Sequence, residues 1–382
     1  MTPGARVAAA IEILDRIADG APAEQALTRW ARASRFAGSG DRAAVRDHVF
    51  DVLRHWRSDA ARGGGETGRA RLIGRCRAAG LDLDALFSGQ GHAPSPLSDA
   101  ERNAGRVPEP GGEACDLPDW LVPEFETALG PTWTRAARAL QTRAPVSLRV
   151  NLARCDVTTA CESLAADGID VRRNARAGTV LTVCEGARKL RRSTAFQDGL
   201  VELQDAASQA AVALIAGSGR LLDYCAGGGG KALALAARGW DVTAHDADPA
   251  RMTDLPNRAQ RGGHTITVTE APEGKFDAVL CDAPCSGSGT WRRTPEAKWR
   301  LAPERLTELT ALQVDIMVRA QTHVAPGGAL YYATCSVLTR ENVDTVARFC
   351  AAHTDWALDQ AWTWPVDDDG DGFFFARLKR SD

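Results

Sequence analysis

No stretch of the chain approaches the roughly 18 consecutive apolar residues of a membrane span, so no transmembrane segment is expected. The start, Met1-Thr2-Pro3-Gly4-Ala5-Arg6, lacks the apolar run of a secretory signal. The ten cysteines are never paired as Cys-x-x-Cys, which leaves no zinc-type spacing and no metal expected. Bulk positive charge is missing too. With a net charge of −3, any affinity for nucleic acid must come from local clusters. Lysine is scarce beside arginine. Guanidinium suits bidentate phosphate contacts, but base composition of the genome explains an Ala- and Arg-rich chain equally well. The glycine loop at 227–230 is neither Gly-x-Gly-x-x-Gly nor a Walker loop, since Ala232 follows Lys231. Nothing there points to a phosphate ligand, and a nicotinamide dehydrogenase becomes a remote reading.

What is present fits a globular protein of two or three domains: 382 residues, 44% apolar and 25% charged. Three stretches carry the chemistry. Phe276-Asp277-Ala278-Val279-Leu280-Cys281-Asp282 reads as a buried strand, followed by Ala283-Pro284-Cys285-Ser286-Gly287-Ser288-Gly289. Tyr331-Tyr332-Ala333-Thr334-Cys335-Ser336 repeats the plan of an apolar strand ending at a cysteine. Upstream, Leu221-Leu222-Asp223-Tyr224-Cys225-Ala226-Gly227-Gly228-Gly229-Gly230-Lys231 runs from strand through glycine loop into helix. Ligands of open α/β sheets bind beyond the carboxyl ends of the strands, where all three stretches would meet. Val242-Thr243-Ala244-His245-Asp246 adds an acid placed to accept ribose hydroxyls. Cys281 points away from Asp282 by the two-residue period and is expected to pack. The remaining thiols, such as Cys76, Cys155 and Cys350, read as small buried hydrophobes.

These pieces, in this order, resemble the RNA 5-methylcytosine methyltransferases of the RsmB/Nop/Sun family. The resemblance covers roughly residues 117–380 and includes Leu148-Arg149-Val150-Asn151, Gln204-Asp205-Ala206-Ala207-Ser208-Gln209 and the closing Asp371-Gly372-Phe373-Phe374-Phe375. It implies an α/β fold: a Rossmann-like class I methyltransferase core preceded by a small α/β (RRM-like) subdomain. An all-helical NusB-like domain is implied in front, from Gly40-Asp41-Arg42 and Val49-Phe50-Asp51-Val52-Leu53-Arg54. The expected division is 1–87 helical RNA-binding domain, 88–116 linker, 117–203 subdomain and 204–382 methyltransferase domain.

The implied cofactor is S-adenosylmethionine, held by Cys225, Ala226, Gly227, Gly228, Gly229, Gly230, Lys231, Asp246 and Asp282. The implied catalytic groups are Cys335 as nucleophile, Cys285 as the thiol assisting release, and Asp282 serving nitrogen 3 of the base. Such chemistry is needed because carbon 5 of cytosine is a poor nucleophile. A thiolate added to carbon 6 makes carbon 5 enamine-like and able to attack a methylsulfonium, while an acid stabilises charge arriving at nitrogen 3. The NusB-like start points to ribosomal RNA ahead of transfer RNA. The protein is expected to be a cytoplasmic monomer, in a reducing compartment that keeps catalytic thiols free. Two departures from the family pattern stand out. The usual loop is Cys-Ala-Ala-Pro-Gly-Gly-Lys, whereas Gly227 and Gly228 replace Ala and Pro here. After the third strand, Thr269-Glu270 stands where Gly-Asp is usual. A DNA cytosine methyltransferase using Cys285 as nucleophile, and a non-catalytic ribosome-assembly factor with a degenerate cofactor loop, remain alternatives.

Three basic clusters are expected to meet RNA phosphates: Arg62, Arg69, Arg71, Arg75 and Arg77; Arg172 to Arg192; and Arg292, Arg293, Lys298 and Arg300. The stretch 88–116, rich in Gly, Pro, Ser and Glu, reads as a linker without fixed structure. Asp367 to Asp371 lacks the glutamate that closes a calcium loop and is expected to be a hairpin turn.

Overall fold

The computed structural model describes residues 1–380 and divides into two compact units. One comprises Met1–Glu126, Gly130–Arg143 and Trp291–Arg300; the other contains Thr127–Leu129, Ala144–Thr290 and the chain from Leu301 onward.

The first unit is helical: α1 (Pro3–Ala18), α2 (Ala23–Ala33), α3 (Ser39–Arg54), α4 (Trp56–Gly63) and α5 (Gly68–Ala78). Hydroxyl caps start two of them, Thr2 accepting from the Ala5 amide and Thr67 from that of Ala70. Along α1 the buried stripe is Val7, Ala10, Ile13, Leu14 and Ile17, which joins Val45, Val49 and Val52 of α3 in one core. Ile11 is only half-buried and Ala18 is exposed, so both lie off this stripe. The close crossing of α4 and α5 depends on glycine: a Cβ on Gly74 would lie 1.9 Å from the Asp59 carbonyl oxygen.

The arginines expected to meet phosphates here are used internally. Arg71 is buried, donates to the Trp56 carbonyl and stacks 3.8 Å from that residue's ring centre. Arg77 donates to the carbonyls of Arg62, Glu101 and Ala104. Arg69 pairs with Glu101 at 2.6 Å, and Arg62 and Arg75 flank buried Asp59. The same bonds correct the linker reading, because residues 88–116 are pinned to the helices. Leu97 and Cys115 are buried, Arg106 donates its amide to the Ala61 carbonyl, and Ser98 caps a short helix, Asp99–Asn103.

A second correction concerns Trp291–Arg300, expected as an RNA-contacting loop. Arg292 and Lys298 are buried. The Arg292 carbonyl accepts from Arg54 Nε, Lys298 Nζ donates to the Arg54 carbonyl, and Trp299 Nε1 donates to that of Leu53. Burial brings the Lys298 pKa down to about 8. Arg292 and Lys298 thus belong to the helical core, while Arg293 and Arg300 are exposed.

The second unit has two sheets. A four-stranded antiparallel sheet, order β2-β3-β1-β4, is built from β1 (Val146–Val150), β2 (Asp170–Arg173), β3 (Val180–Glu185) and β4 (Val201–Leu203). Helix Val157–Ala166 buries Ala160 and Leu164 in its core with Leu148, Val150 and Leu181. The basic residues of β2 and the turn after it are partly spoken for: Arg176 grips Asp367 and the carbonyls of Pro365 and Asp371, and Arg172 pairs with Asp369. Arg173, Arg191 and Arg192 are exposed.

The larger sheet has seven strands: β5 (Arg220–Asp223), β6 (Asp241–Ala244), β7 (Ile266–Val268), β8 (Phe276–Asp282), β9 (Val324–Thr334), β10 (Trp356–Trp364) and β11 (Phe373–Arg380). Their order is β10-β11-β9-β8-β5-β6-β7, with β5 to β9 parallel and β11 antiparallel to both neighbours. Strand order reverses between β5 and β8, and a crevice opens beyond the carboxyl ends at such a switch point. Pro326-Gly327-Gly328 bulges within β9, the preceding helix Pro303–Ala320 having already ended. The acidic residues 367–371 form the turn into β11, with a bridge between Asp367 and Gly370.

Candidate active site

Parallel pairing of β8 with β9 sets Asp282 beside Ala333. Three residues past Asp282 comes Cys285, and two past Ala333 comes Cys335. Their sulfurs lie 3.4 Å apart. The loops bearing them are tied together, the Gly289 amide donating to the Cys335 carbonyl and the Ala283 amide to that of Ala333.

The two thiols are unequal. A hydrogen bond from Cys285 draws the Cys335 pKa below the ordinary thiol range despite burial, with Thr290 Oγ1 and the Lys231 charge assisting. The same hydrogen bond, then burial, then the charges of Cys335 and Glu341, push Cys285 well above that range. Both shifts run in the direction that makes Cys335 the more readily ionised thiol and Cys285 the one that keeps its proton longer. Cys281 is fully buried, and burial pushes its thiol far up; it packs, as the strand period suggests.

Lys231 Nζ meets Asp282 Oδ2 at 2.5 Å. Burial opposes the ammonium, but Asp282, with Asp223 behind it, outweighs that and leaves the lysine pKa raised. Asp223, at the end of β5, is completely buried, and neither carboxylate oxygen accepts a well-formed hydrogen bond. Burial, then the Asp282 charge, pushes its pKa up to about 7, with Lys231 and the Ala232 amide acting the other way.

The glycine loop bridges β5 and helix Gly230–Ala236. Gly227 (φ +52°) and Gly229 (φ +77°) occupy the left-handed region that favours glycine. The Gly227 amide donates to Asp246 Oδ2 at 2.8 Å, and Arg251 pairs with the same carboxylate at 3.1 Å. Glu270, which follows β7, is exposed.

Sequence reasoning missed the residue at the centre of this arrangement. Glu341, fully buried, accepts from the Ser286 amide (2.8 Å), Ser286 Oγ (2.5 Å), Ser336 Oγ (2.5 Å) and Gln313 Nε2 (3.0 Å). Ser286 follows Cys285 and Ser336 follows Cys335, so one carboxylate staples both cysteine turns. Ser288 Oγ and Ser336 Oγ, 2.8 Å apart, add a second staple. An acid six residues after a cysteine-bearing strand, amid apolar Val337 and Leu338, was the available signal.

A seven-stranded sheet of this order, with a glycine loop after its first parallel strand, defines a Rossmann-like methyltransferase fold. Crystal structures carry the same fold: PH0851 aligns with a TM-score of 0.78 at 24% identity over 100% of this chain and 99% of that one. NSun6 from Pyrococcus horikoshii with SFG aligns at 0.61 and 14% identity over 69% of this chain and 99% of that one. The family model "16S rRNA methyltransferase RsmB/F" matches residues 214–379, and that of the RsmF/B-like ferredoxin-like domain matches 117–187. Ribosomal RNA small subunit methyltransferase B of Erwinia tasmaniensis is 32% identical over 282 residues, 68% of this chain and 66% of the relative; that of Cronobacter sakazakii matches equally. This chain belongs to the RsmB/F methyltransferase family. It spans 66% of the length of the curated relatives it matches. Family membership implies S-adenosylmethionine as cofactor.

Proposed function

We propose that the protein transfers a methyl group from S-adenosylmethionine to carbon 5 of a cytosine in RNA, ribosomal RNA ahead of transfer RNA, through a covalent bond between Cys335 and carbon 6. The observation carrying this reading is the pair of sulfurs 3.4 Å apart, with Cys335 the more readily ionised of the two. A lone buried thiol would be inert; a thiol lowered by a donor beside it is a nucleophile.

The crevice suits the cofactor on its own terms. Backbone at Gly227 and Gly229 lets a ligand approach closely, Asp246 after β6 is an acid that would accept the ribose hydroxyls, and the unsatisfied carboxylate of Asp223 can receive a cationic donor. When bound, the cofactor supplies an electrophilic methyl group. The chain supplies the rest. Cys335 adds to carbon 6, and the Lys231–Asp282 pair stabilises nitrogen 3 as charge arrives there. Carbon 5, now enamine-like, would take the methyl group, leaving the donor sulfur as a neutral thioether, and its proton would pass to solvent as the bond between carbon 6 and sulfur breaks. Cys335 leaves as thiolate, with Cys285 donating the hydrogen bond that stabilises the departing sulfur.

The test is incubation of 16S ribosomal RNA with labelled cofactor. Cys335→Ala should abolish transfer, whereas Cys285→Ala should accumulate a protein–RNA adduct visible as a gel shift. Adduct formation by Cys335→Ala, and none by Cys285→Ala, would reverse the assignment to the arrangement of a DNA cytosine methyltransferase.

A further inference from the structure

Of the four glycines at 227–230, only two are demanded by geometry. Gly227 and Gly229 have positive φ, and a Cβ on Gly229 would lie 2.2 Å from Leu255 Cδ1. Gly228 and Gly230 are outside the left-handed region. The glycine at 228 therefore adds freedom without a backbone requirement, in a loop that must be ordered to hold a ligand.

Two guanidinium groups restrain that loop from outside. Arg258, on helix Leu255–Gly262, donates to the Gly228 carbonyl. Arg149, in β1, donates to the Gly230 carbonyl at 2.8 Å and to Gln204 Oε1 at 2.6 Å. Both are themselves held by the small antiparallel sheet. Glu202 of β4 lies 3.5 Å from Arg258 and pairs with Arg261 at 2.5 Å, while Gln204 follows β4 directly. Arg149 is 6% exposed. Burying a guanidinium is costly unless it is paired, and here the carbonyl it serves belongs to the glycine loop.

We propose that Arg258 and Arg149 are positioning residues that hold the all-glycine loop in its ligand-binding shape, so that the small subdomain supplies through hydrogen bonds the stiffness a proline would supply covalently. The proposal rests on S-adenosylmethionine binding at this loop, and it gives the subdomain a role in cofactor affinity. Arg258 is the residue to test, being on the surface side of the loop, whereas Arg149 is embedded in the fold.

Replacing Gly228 by proline offers the complementary change. Among the described residues the Gly228 amide donates no hydrogen bond, and the atom nearest an added Cβ is Arg258 Nη1, at 3.3 Å. Calorimetric titration of S-adenosylmethionine into the wild type, Arg258→Ala, and Arg258→Ala with Gly228→Pro separates the possibilities. Arg258→Ala should weaken binding about tenfold, equivalent to 1.4 kcal/mol, with the melting temperature of the ligand-free protein held within a few degrees. Adding Gly228→Pro should restore about two- to fivefold of that loss. In the ligand-free protein, hydrogen exchange of the amides at 226–230 should quicken in Arg258→Ala and slow again in the double variant. Wild-type affinity and exchange in Arg258→Ala would overturn the proposal, as would a loss that the proline leaves untouched. Absence of binding by the wild type would instead sink the cofactor reading itself, and this inference with it.

Discussion

Glu341→Gln is the most informative single change, because it alters one buried atom type and reaches both sulfurs. The carboxylate accepts four hydrogen bonds, two of them at 2.5 Å, and has no solvent exposure. Hydrogen bonds to a charged acceptor contribute about 1.5–3 kcal/mol each. Removing the acceptor outright by Glu341→Ala strands the Ser286 and Ser336 hydroxyls and the Gln313 amide, and should cost about 3–5 kcal/mol. That is a large share of the roughly 5–15 kcal/mol of a typical domain, so Ala tests folding more than chemistry. Gln keeps the shape. Its amide nitrogen must replace one oxygen, the hydroxyls facing it must turn from donor to acceptor, and the two cysteine turns lose their shared charged anchor. A misplacement near 1 Å costs on the order of 100-fold in rate, so kcat should fall by about 10- to 100-fold while KM for S-adenosylmethionine stays close to wild type. The negative charge of Glu341 also helps keep the proton on Cys285, so its removal should let Cys285 ionise at lower pH. Alkylation by iodoacetamide, followed by peptide mapping across pH, reads this directly. Wild-type kcat together with an unchanged alkylation profile would refute the staple.

Further predictions follow from the same geometry. Because Cys335 ionises below the usual thiol range through its bond from Cys285, Cys285→Ala should shift Cys335 alkylation to higher pH, measured in the absence of RNA. Asp223 has its folded pKa raised from 3.8 to about 7. The folded state therefore holds a proton that the unfolded chain has lost, and stability declines as pH climbs between those values, by up to about 4 kcal/mol. Asp223→Asn should accordingly stabilise the ligand-free protein more at pH 8 than at pH 5, by roughly 2–3 kcal/mol in urea unfolding, while weakening cofactor binding. In the helical unit, Gly74→Ala would drive its methyl group into the Asp59 carbonyl at 1.9 Å and should cost about 3 kcal/mol or more, seen as a lower melting temperature.

The parts legible in sequence were those whose function is local. A strand with a carboxylate at its end, a proline and a thiol announce themselves within a few residues, and β8, β9 and the glycine loop all lie where the pattern puts them. Charge was less legible, because a run of arginines does not disclose its partner. Arg77 turns out to satisfy carbonyls contributed by Arg62, Glu101 and Ala104. That is a tertiary fact, and it also explains why a stretch with a linker's composition is held in place. Arg292 and Lys298 follow the Pro-Cys motif in sequence yet fold into the helical unit, a destination that no periodicity encodes.

Glu341 and Arg258 share a further property that hides them. Neither touches the groups expected to react, and each acts on a turn many residues away, Glu341 on Ser286 and Arg258 on Gly228. Catalytic residues must be of a particular chemical type, so composition and spacing can expose them. A residue that fixes a turn needs only a charge in the right place, and the register of neighbouring strands decides where that place is. The departure at Gly228 makes the difference testable within one chain: the loop is stiffened either through its own backbone or through a side chain of helix Leu255–Gly262 that Glu202 of β4 holds. A proline that substitutes for an arginine would show that the two routes are physically equivalent.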